Sequence, residues 1–308
     1  MQDINEIEDK MQKLKEKYKL SNQEHYRIYT LIKKYYLTNI TPEDKPIAVI
    51  VGAQPGSGKG SLIGYSKNKF DDTSNVIIIT TDDYKPFHPK ASEIAKKYPT
   101  YYSAVVDVDS SMWTNEILNE AIENKYNFIL EVTFKNDRII KTLEKLKEKG
   151  YTIIIRSLAV SYIESLLSAF ERYEKQVQVR SWGRFFNPLE YNYTYENIPN
   201  TLENIENSRC FDAIEIFRRG ESIKYPQLIY RNCKKDYLQN FENDSFINKY
   251  ESAKESILKY RNEDLKTVNE EMEERIIVLE NSFKNRNASK EELEGLYVLK
   301  ELFYNYKS

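Results

Sequence analysis

The sequence has little cysteine, histidine, proline or glycine: 2, 2, 9 and 9 of its 308 residues. Cys210 and Cys233 lie far apart with no second pair of metal ligands, so two reduced thiols are expected rather than a disulfide or a metal site. No apolar run approaches the ~20 residues that a membrane span needs. The opening Met1-Gln2-Asp3-Ile4-Asn5-Glu6 is polar and acidic, unlike a signal peptide. A cytoplasmic protein without a membrane partner is therefore expected. An excess of charge of either sign is also missing, since 46 basic and 48 acidic side chains leave a formal net charge of −2. That balance lacks the global basic field of a non-specific nucleic-acid binder, although it leaves room for a local basic cleft.

What is present is ordinary globular composition, 40% hydrophobic and 31% charged, in a chain long enough for one α/β domain with helical additions. Residues 1–44 read as a helical element. Ile4, Ile7, Met11 and Leu14 recur at helical spacing, and Ser21-Asn22-Gln23-Glu24 is a capping box opening a second helix. Thr41 to Pro46 breaks the pattern. Across 45–235 short apolar runs alternate with amphipathic stretches. The runs are Ile47–Val51, Val76–Ile79, Phe128–Leu130, Thr152–Leu158 and Ala213–Phe217. Buried strands separated by helices predict a doubly wound, mostly parallel sheet with its site at the carboxyl ends of the strands. Over 236–308 the strand signals stop. Ile257, Leu258, Leu265, Ile276 and Leu279, then a Ser289–Glu292 cap before Leu296, Leu299 and Phe303, predict a helical hairpin on the core or an interaction surface.

The strongest local signal is the strand Ile47–Val51 running into Gly52-Ala53-Gln54-Pro55-Gly56-Ser57-Gly58-Lys59-Gly60-Ser61 and a helix start. Glycines let backbone N–H groups turn toward anionic oxygens, the helix N-terminus adds partial positive charge, and Lys59 reaches the β and γ phosphates of a nucleotide. Against G-x-x-x-x-G-K-[ST], Ala53 replaces the first glycine and Gly60 replaces the hydroxyl residue that holds Mg²⁺. Ser61 comes one residue late, rotated about 100° around the helix.

Other strand ends carry acids. Asp82 and Asp83 follow Ile77–Thr81, where one of them could accept a hydroxyl proton during phosphoryl transfer. Glu131 ends the run Phe128–Leu130 and could hold a metal-bound water or a substrate hydroxyl. Arg172, at the end of an amphipathic helix, and Arg184, in the aromatic loop Trp182 to Pro188, are candidates to neutralise a moving phosphoryl group.

Taken together these motifs resemble the zeta toxin family, P-loop kinases of bacterial toxin–antitoxin systems, over about residues 45–225. The resemblance implies a P-loop kinase-like core binding ATP and Mg²⁺ and phosphorylating a hydroxyl of the nucleotide sugar UDP-N-acetylglucosamine, with an antitoxin protein as a partner. It selects Asp82 as the base, six residues before His88-Pro89, and assigns ATP phosphates to Gln54–Ser61, with Lys59 as the cation. It carries substrate contacts to Asp82, His88, Glu131, Thr133, Lys135 and the Asn115-Glu116 pair, and metal, through water, to Ser61 and Glu131. Glu171-Arg172-Tyr173-Glu174 and Gly183 to Pro188 match its arginine elements, and Asn197-Ile198-Pro199-Asn200 falls at its N-[IL]-P turn. The chain departs from the family at Gly60, at Asn115 where a glutamate is usual, and at Lys135 where many members have arginine. Those departures leave two alternatives: a same-fold kinase for another nucleotide-linked metabolite, and a degenerate member that only binds nucleotide or a partner.

Overall fold

The computed structural model describes residues 4–180, 182–185, 188–220, 226–238, 246, 248–265 and 270–307. In chain order they form α1 (Ile4–Tyr18), α2 (Asn22–Leu37), β1 (Ile47–Gly52), α3 (Lys59–Lys67), β2 (Ile77–Ile79), α4 (Thr81–Tyr84), α5 (Ala91–Lys97) and α6 (Tyr102–Glu123). There follow β3 (Phe128–Val132), α7 (Arg138–Glu148), β4 (Thr152–Leu158), α8 (Tyr162–Arg180), α9 (Pro188–Ser208), β5 (Ala213–Arg218) and β6 (Gln227–Cys233). Four further helices complete the described chain: α10 (Lys235–Leu238), α11 (Ala253–Leu265), α12 (Glu270–Asn285) and α13 (Lys290–Lys307).

One six-stranded sheet runs in the order β2-β3-β1-β4-β5-β6. The first five strands are parallel and β6 is antiparallel to β5. The chain leaves β1 toward one edge and returns to build the other, so the sheet is doubly wound, as the alternating runs predict. Strand side chains alternate between faces. Ala48, Ile50, Phe128, Leu130, Ile153, Ile155, Ile214 and Ile216 enter one apolar layer with residues of α2, α6, α7, α9 and α11. Val49, Val51, Ile129, Ile154 and Phe217 enter the other, with Leu62 and Ile63 of α3.

Local signals place the helix ends. Ser21 and Glu24 form the reciprocal capping box of α2. Ser289 and Glu292 do the same before α13. Gly150 follows α7 at φ +80°, a left-handed conformation that glycine adopts without a Cβ penalty. Three readings are corrected. The tail holds α11 besides the α12–α13 pair rather than a simple hairpin. The edge strand β6 gave no recognised signal. Asn197 to Asn200 is not a turn, because α9 continues through Pro199. None of the helices among the described residues is long and apolar enough to cross a membrane.

A row of charge crosses the sheet. Arg156 of β4, Glu215 of β5 and Arg231 of β6 are register neighbours. Glu215 accepts from Arg156 Nε at 2.8 Å and from Arg231 Nε at 2.9 Å, all three being buried or nearly so. Two guanidiniums share one carboxylate, so removing it strands both. Glu215→Gln should lower unfolding free energy by roughly 3–5 kcal/mol in urea titration. A loss below about 1 kcal/mol would mean the row is not a coupled unit.

Candidate active site

The phosphate-loop sequence forms the turn that it predicts. Gly56 and Gly58 have φ of +74° and +102°, and α3 begins at Lys59. The loop lies directly on α8: a Cβ on Gly56 would sit 1.9 Å from the Ser165 carbonyl oxygen. Only glycine permits that approach at that φ. Gln54 is fully buried, its Nε2 donating to the Val160 carbonyl at 3.0 Å and to Ser165 Oγ at 3.3 Å. Arg219, just beyond β5, donates to the Ser57 carbonyl at 3.1 Å and also to that of Gly56. Gly60, by contrast, faces open space, with nothing within 4 Å of a Cβ built there. Ser61 is partly buried in the first turn of α3. Gly52, the residue before the expected glycine position, is required too, because the buried Phe134 ring lies 2.2 Å from where its Cβ would be.

Cations gather above this loop. Lys59 Nζ donates to the carbonyls of Ala53 at 2.9 Å and Gln54 at 3.1 Å and stands 3.7 Å from Glu131 Oε1. Parallel pairing supplies the acid, since Val51 and Glu131 are register partners on β1 and β3. Burial pushes the Lys59 ammonium down to about 8; the Glu131 charge opposes this and the Arg172 and Arg184 charges add to it. Arg172 lies in the middle of α8, not at its end as expected, because the helix runs on to Arg180. Burial lowers its guanidinium against the pull of Glu131, and its Nε is buried without a hydrogen-bond partner among the described residues. Burial alone brings Arg184 down to about 10. Its loop is pinned where the Arg184 N–H donates to Gln176 Oε1 at 2.8 Å and Gly183 presses on Tyr173.

Asp82 stands in the first turn of α4, ion-paired to Arg184 and, through Oδ1, to Lys85 Nζ at 3.0 Å. Lys85 also reaches Asp107 of α6 at 3.3 Å and Ser103 Oγ at 2.8 Å. Asp83 is set apart from its neighbour. Burial, then the Glu131 charge, raises its carboxyl. The structure thus brings Lys59, Arg172, Arg184, Asp82 and Glu131 to one sheet edge. Thr133 and Lys135 follow on the loop after β3, both partly buried.

Other expected substrate contacts lie elsewhere. His88 is buried: its Nδ1 accepts from the Lys90 N–H at 3.2 Å and its Nε2 donates to the Tyr18 carbonyl at 3.0 Å. Both ring nitrogens are used by backbone, so His88 latches α1 rather than meeting a ligand. Glu116 points the opposite way from Asp107, nine residues or about 180° around α6. It faces His25 of α2, whose Nε2 is 3.2 Å away. Asn115 is exposed on α6. Sequence reasoning missed Lys85, Asp107, Gln176 and Arg219. Only Lys85 had a local signal, its i,i+3 spacing from Asp82.

The arrangement suits an oxyanion beside a proton acceptor. The buried Ser57 Oγ and Arg172 Nε are donors without an acceptor among the described residues, and the loop has open space at Gly60. Among those residues, no cluster of three or more histidine, cysteine or acidic side chains could hold a metal ion.

Toxin zeta of Enterococcus hirae is 31% identical over 184 residues, 59% of this chain and 63% of that protein. The similarity to that relative therefore spans under two thirds of its length. Toxin PezT of Streptococcus pneumoniae serotype 4 is 25% identical over 205 residues, 63% of this chain and 77% of PezT. A solved chain from the PezAT chromosomal toxin–antitoxin system of that species has the same fold, with a TM-score of 0.66 at 18% identity, covering 87% of this chain and 98% of its own. The family model described as Zeta toxin matches residues 33–229, which include the whole cation cluster, and the chain belongs to that family.

Proposed function

We propose that the protein is a kinase that transfers a phosphoryl group from ATP to a hydroxyl of UDP-N-acetylglucosamine. The observation that carries this reading is the convergence of Lys59, Arg172 and Arg184 on Asp82 and Glu131 beside a glycine-rich loop. When bound, ATP would supply the phosphoryl group and Mg²⁺ would offset its charge. Residues 54–61 would hold the phosphates by backbone N–H groups and Lys59. Asp82 takes the proton of the acceptor hydroxyl as its oxygen bonds to phosphorus and the bond to ADP breaks. Arg184, now paired with Asp82, shifts its charge to the moving group and frees the carboxylate for that proton. Arg172 adds a second cation, and Glu131 orients substrate or a metal-bound water. Thr133 and Lys135 line the acceptor side. Without a hydroxyl at residue 60, Ser61 and Glu131 are the residues of this chain that would hold Mg²⁺, through water. An antitoxin protein is proposed as the physiological partner.

A second reading, the same chemistry on another nucleotide-linked metabolite, is favoured by α6. Glu116 is committed to His25 and Asn115 replaces the usual glutamate, which removes one acceptor contact. Incubation with ATP, Mg²⁺ and a panel of nucleotide sugars, read by product mass, separates the two. Phosphorylated UDP-N-acetylglucosamine is the expected product.

Three measurements probe the residues. Asp82→Asn should cut transfer by about 10²–10⁴-fold with ATP affinity near wild type, whereas Asp83→Asn should be mild. An essential Asp83 beside a dispensable Asp82 would reverse the assignment. Lys59, lowered to about 8, is partly neutral at pH 8.5, and a bound polyanion favours its charged form. ATP binding at pH 8.5 should therefore take up protons, detected calorimetrically in buffers of different ionisation enthalpy. The uptake should vanish near pH 6.5 on the protein side and in Lys59→Arg; identical uptake in Lys59→Arg would dissociate it from this lysine. Finally, open space at residue 60 admits a hydroxyl. Gly60→Ser should lower the Mg²⁺ concentration needed for half-maximal activity, and an unmoved titration counts against a metal role for this position.

A further inference from the structure

Helices α11, α12 and α13 lie beyond the family match at residues 33–229. We infer that they brace the nucleotide site, with Arg261 and Arg275 as positioning residues of the phosphate loop and of α8. This inference rests on the reading of residues 54–61 as that loop.

Helix α11 lays Ala253 and Ile257 into the apolar layer under the sheet. One turn later comes Arg261, only 2% exposed. A buried guanidinium is costly unless its surroundings compensate. Its carbon lies 3.8 Å from the Tyr195 ring centroid. Its Nη1 donates to the Tyr195 carbonyl at 2.9 Å, and its Nη2 donates to Gln54 Oε1 at 3.2 Å. The first of these bonds answers a defect in α9. Pro199 has no N–H, so the carbonyl four residues earlier, that of Tyr195, loses its helical donor. Arg261 supplies the missing hydrogen bond from another helix. The second bond fixes the amide of Gln54 with Oε1 toward Arg261 and Nε2 toward Val160 and Ser165. The base of the phosphate loop is thereby tied to α11 and α8 at once.

A second route starts on α12. Arg275 donates to Glu164 at 2.9 Å and to Glu171 at 2.7 Å, both on α8. Glu164 in turn pairs with Arg219, which donates to the Ser57 and Gly56 carbonyls. Glu171 immediately precedes Arg172 in the chain. Leu279 and Phe283 of α12, with Leu296, Leu299 and Phe303 of α13, share an apolar cluster with Leu166, Leu167 and Phe170 of α8. Apolar packing sets the distance between these helices, and the arginines set their register.

Hydrogen exchange and ATP titration of the full-length chain test the brace. Arg261→Lys keeps charge and stem but cannot serve Gln54 and Tyr195 together; Arg275→Gln, at a partly exposed position, guards against misfolding of the first variant. Both should fold, exchange faster in peptides spanning residues 52–62, and bind ATP about tenfold more weakly. The Michaelis constant for ATP should rise while kcat at saturation stays near wild type. Arg261→Lys combined with Gln54→Leu should weaken binding by less than the sum of the two single losses, because both remove the Arg261–Gln54 bond. Unchanged loop exchange and ATP affinity in both variants overturns the brace, and so does a fully additive loss in the double variant. If the wild-type chain binds no ATP, the kinase reading fails, and loop exchange alone then decides the brace: faster exchange supports it and unchanged exchange overturns it.

Discussion

Positive charge taken out of water at the carboxyl edge of a parallel sheet is the constraint on which the rest of this structure depends. Lys59, Arg172 and Arg184 are each destabilised by burial, and the acids within reach offset that cost incompletely. A site in this condition gains most from an anion with several oxygens. Its geometry follows from sheet topology. Parallel pairing of β1 with β3 puts Glu131 beside Val51, at the root of the loop that carries Lys59. The close seat of Gly56 on α8 then sets how far Arg172 stands from that loop.

The same carboxylates give the resting site its order. Asp82 holds Arg184, and Glu131 stands by Lys59, so two of the three cations have carboxylate partners within the chain. These pairs limit the repulsion between like charges, and each can be exchanged for a phosphate oxygen. In the proposed reaction that exchange has a direction. Asp82 becomes an effective base once Arg184 has left it, which ties proton acceptance to the arrival of the phosphoryl group. Lys85, bonded to both Asp82 and Asp107, keeps the carboxylate in place meanwhile.

How much of this was legible in the sequence depends on the range of the interaction. Ser21 with Glu24, Ser289 with Glu292 and Gly150 are local devices, and each marks its helix end as read. The five parallel strands were legible because burial on both faces makes continuous apolar runs. The antiparallel edge strand β6 is only partly covered, so Gln227 to Cys233 mixes polar and apolar residues and hides. Pro199 signals a break by local rules, and the hydrogen bond that its missing N–H leaves open at Tyr195 is supplied by Arg261, 62 positions further on. The strand-end rule gathered Lys59, Asp82 and Glu131 from motifs alone. His88 was misplaced because its spacing from Asp82 says nothing of which way its ring turns. Arg219 and Gln176 act through contacts that no local pattern encodes.

The helices at the two ends of the chain divide the support of the site between them. At the N-terminal end, the Tyr18 carbonyl accepts a hydrogen bond from His88 Nε2, and His25 lies between Asp109 and Glu116 at 3.1 and 3.2 Å while stacking on Trp113. Helices α1 and α2 thus hold α6 and the turn after α4, the elements that present Asp107 and Lys85, and Lys85 in turn pairs with Asp82 of α4. At the C-terminal end, Arg261 and Arg275 hold Gln54 and α8, on the side of Lys59 and Arg172. In the proposed reaction, proton acceptor and phosphate cradle are therefore fastened to different scaffolds. The sheet edge and the Arg184 loop are where the two meet, and Arg184 itself bridges them through its pair with Asp82. A displacement of either scaffold changes the distance between base and phosphate without disturbing the chemistry of either. If the brace holds, the orientation of the helical ends, and not just the motif residues, sets the geometry of the proposed reaction.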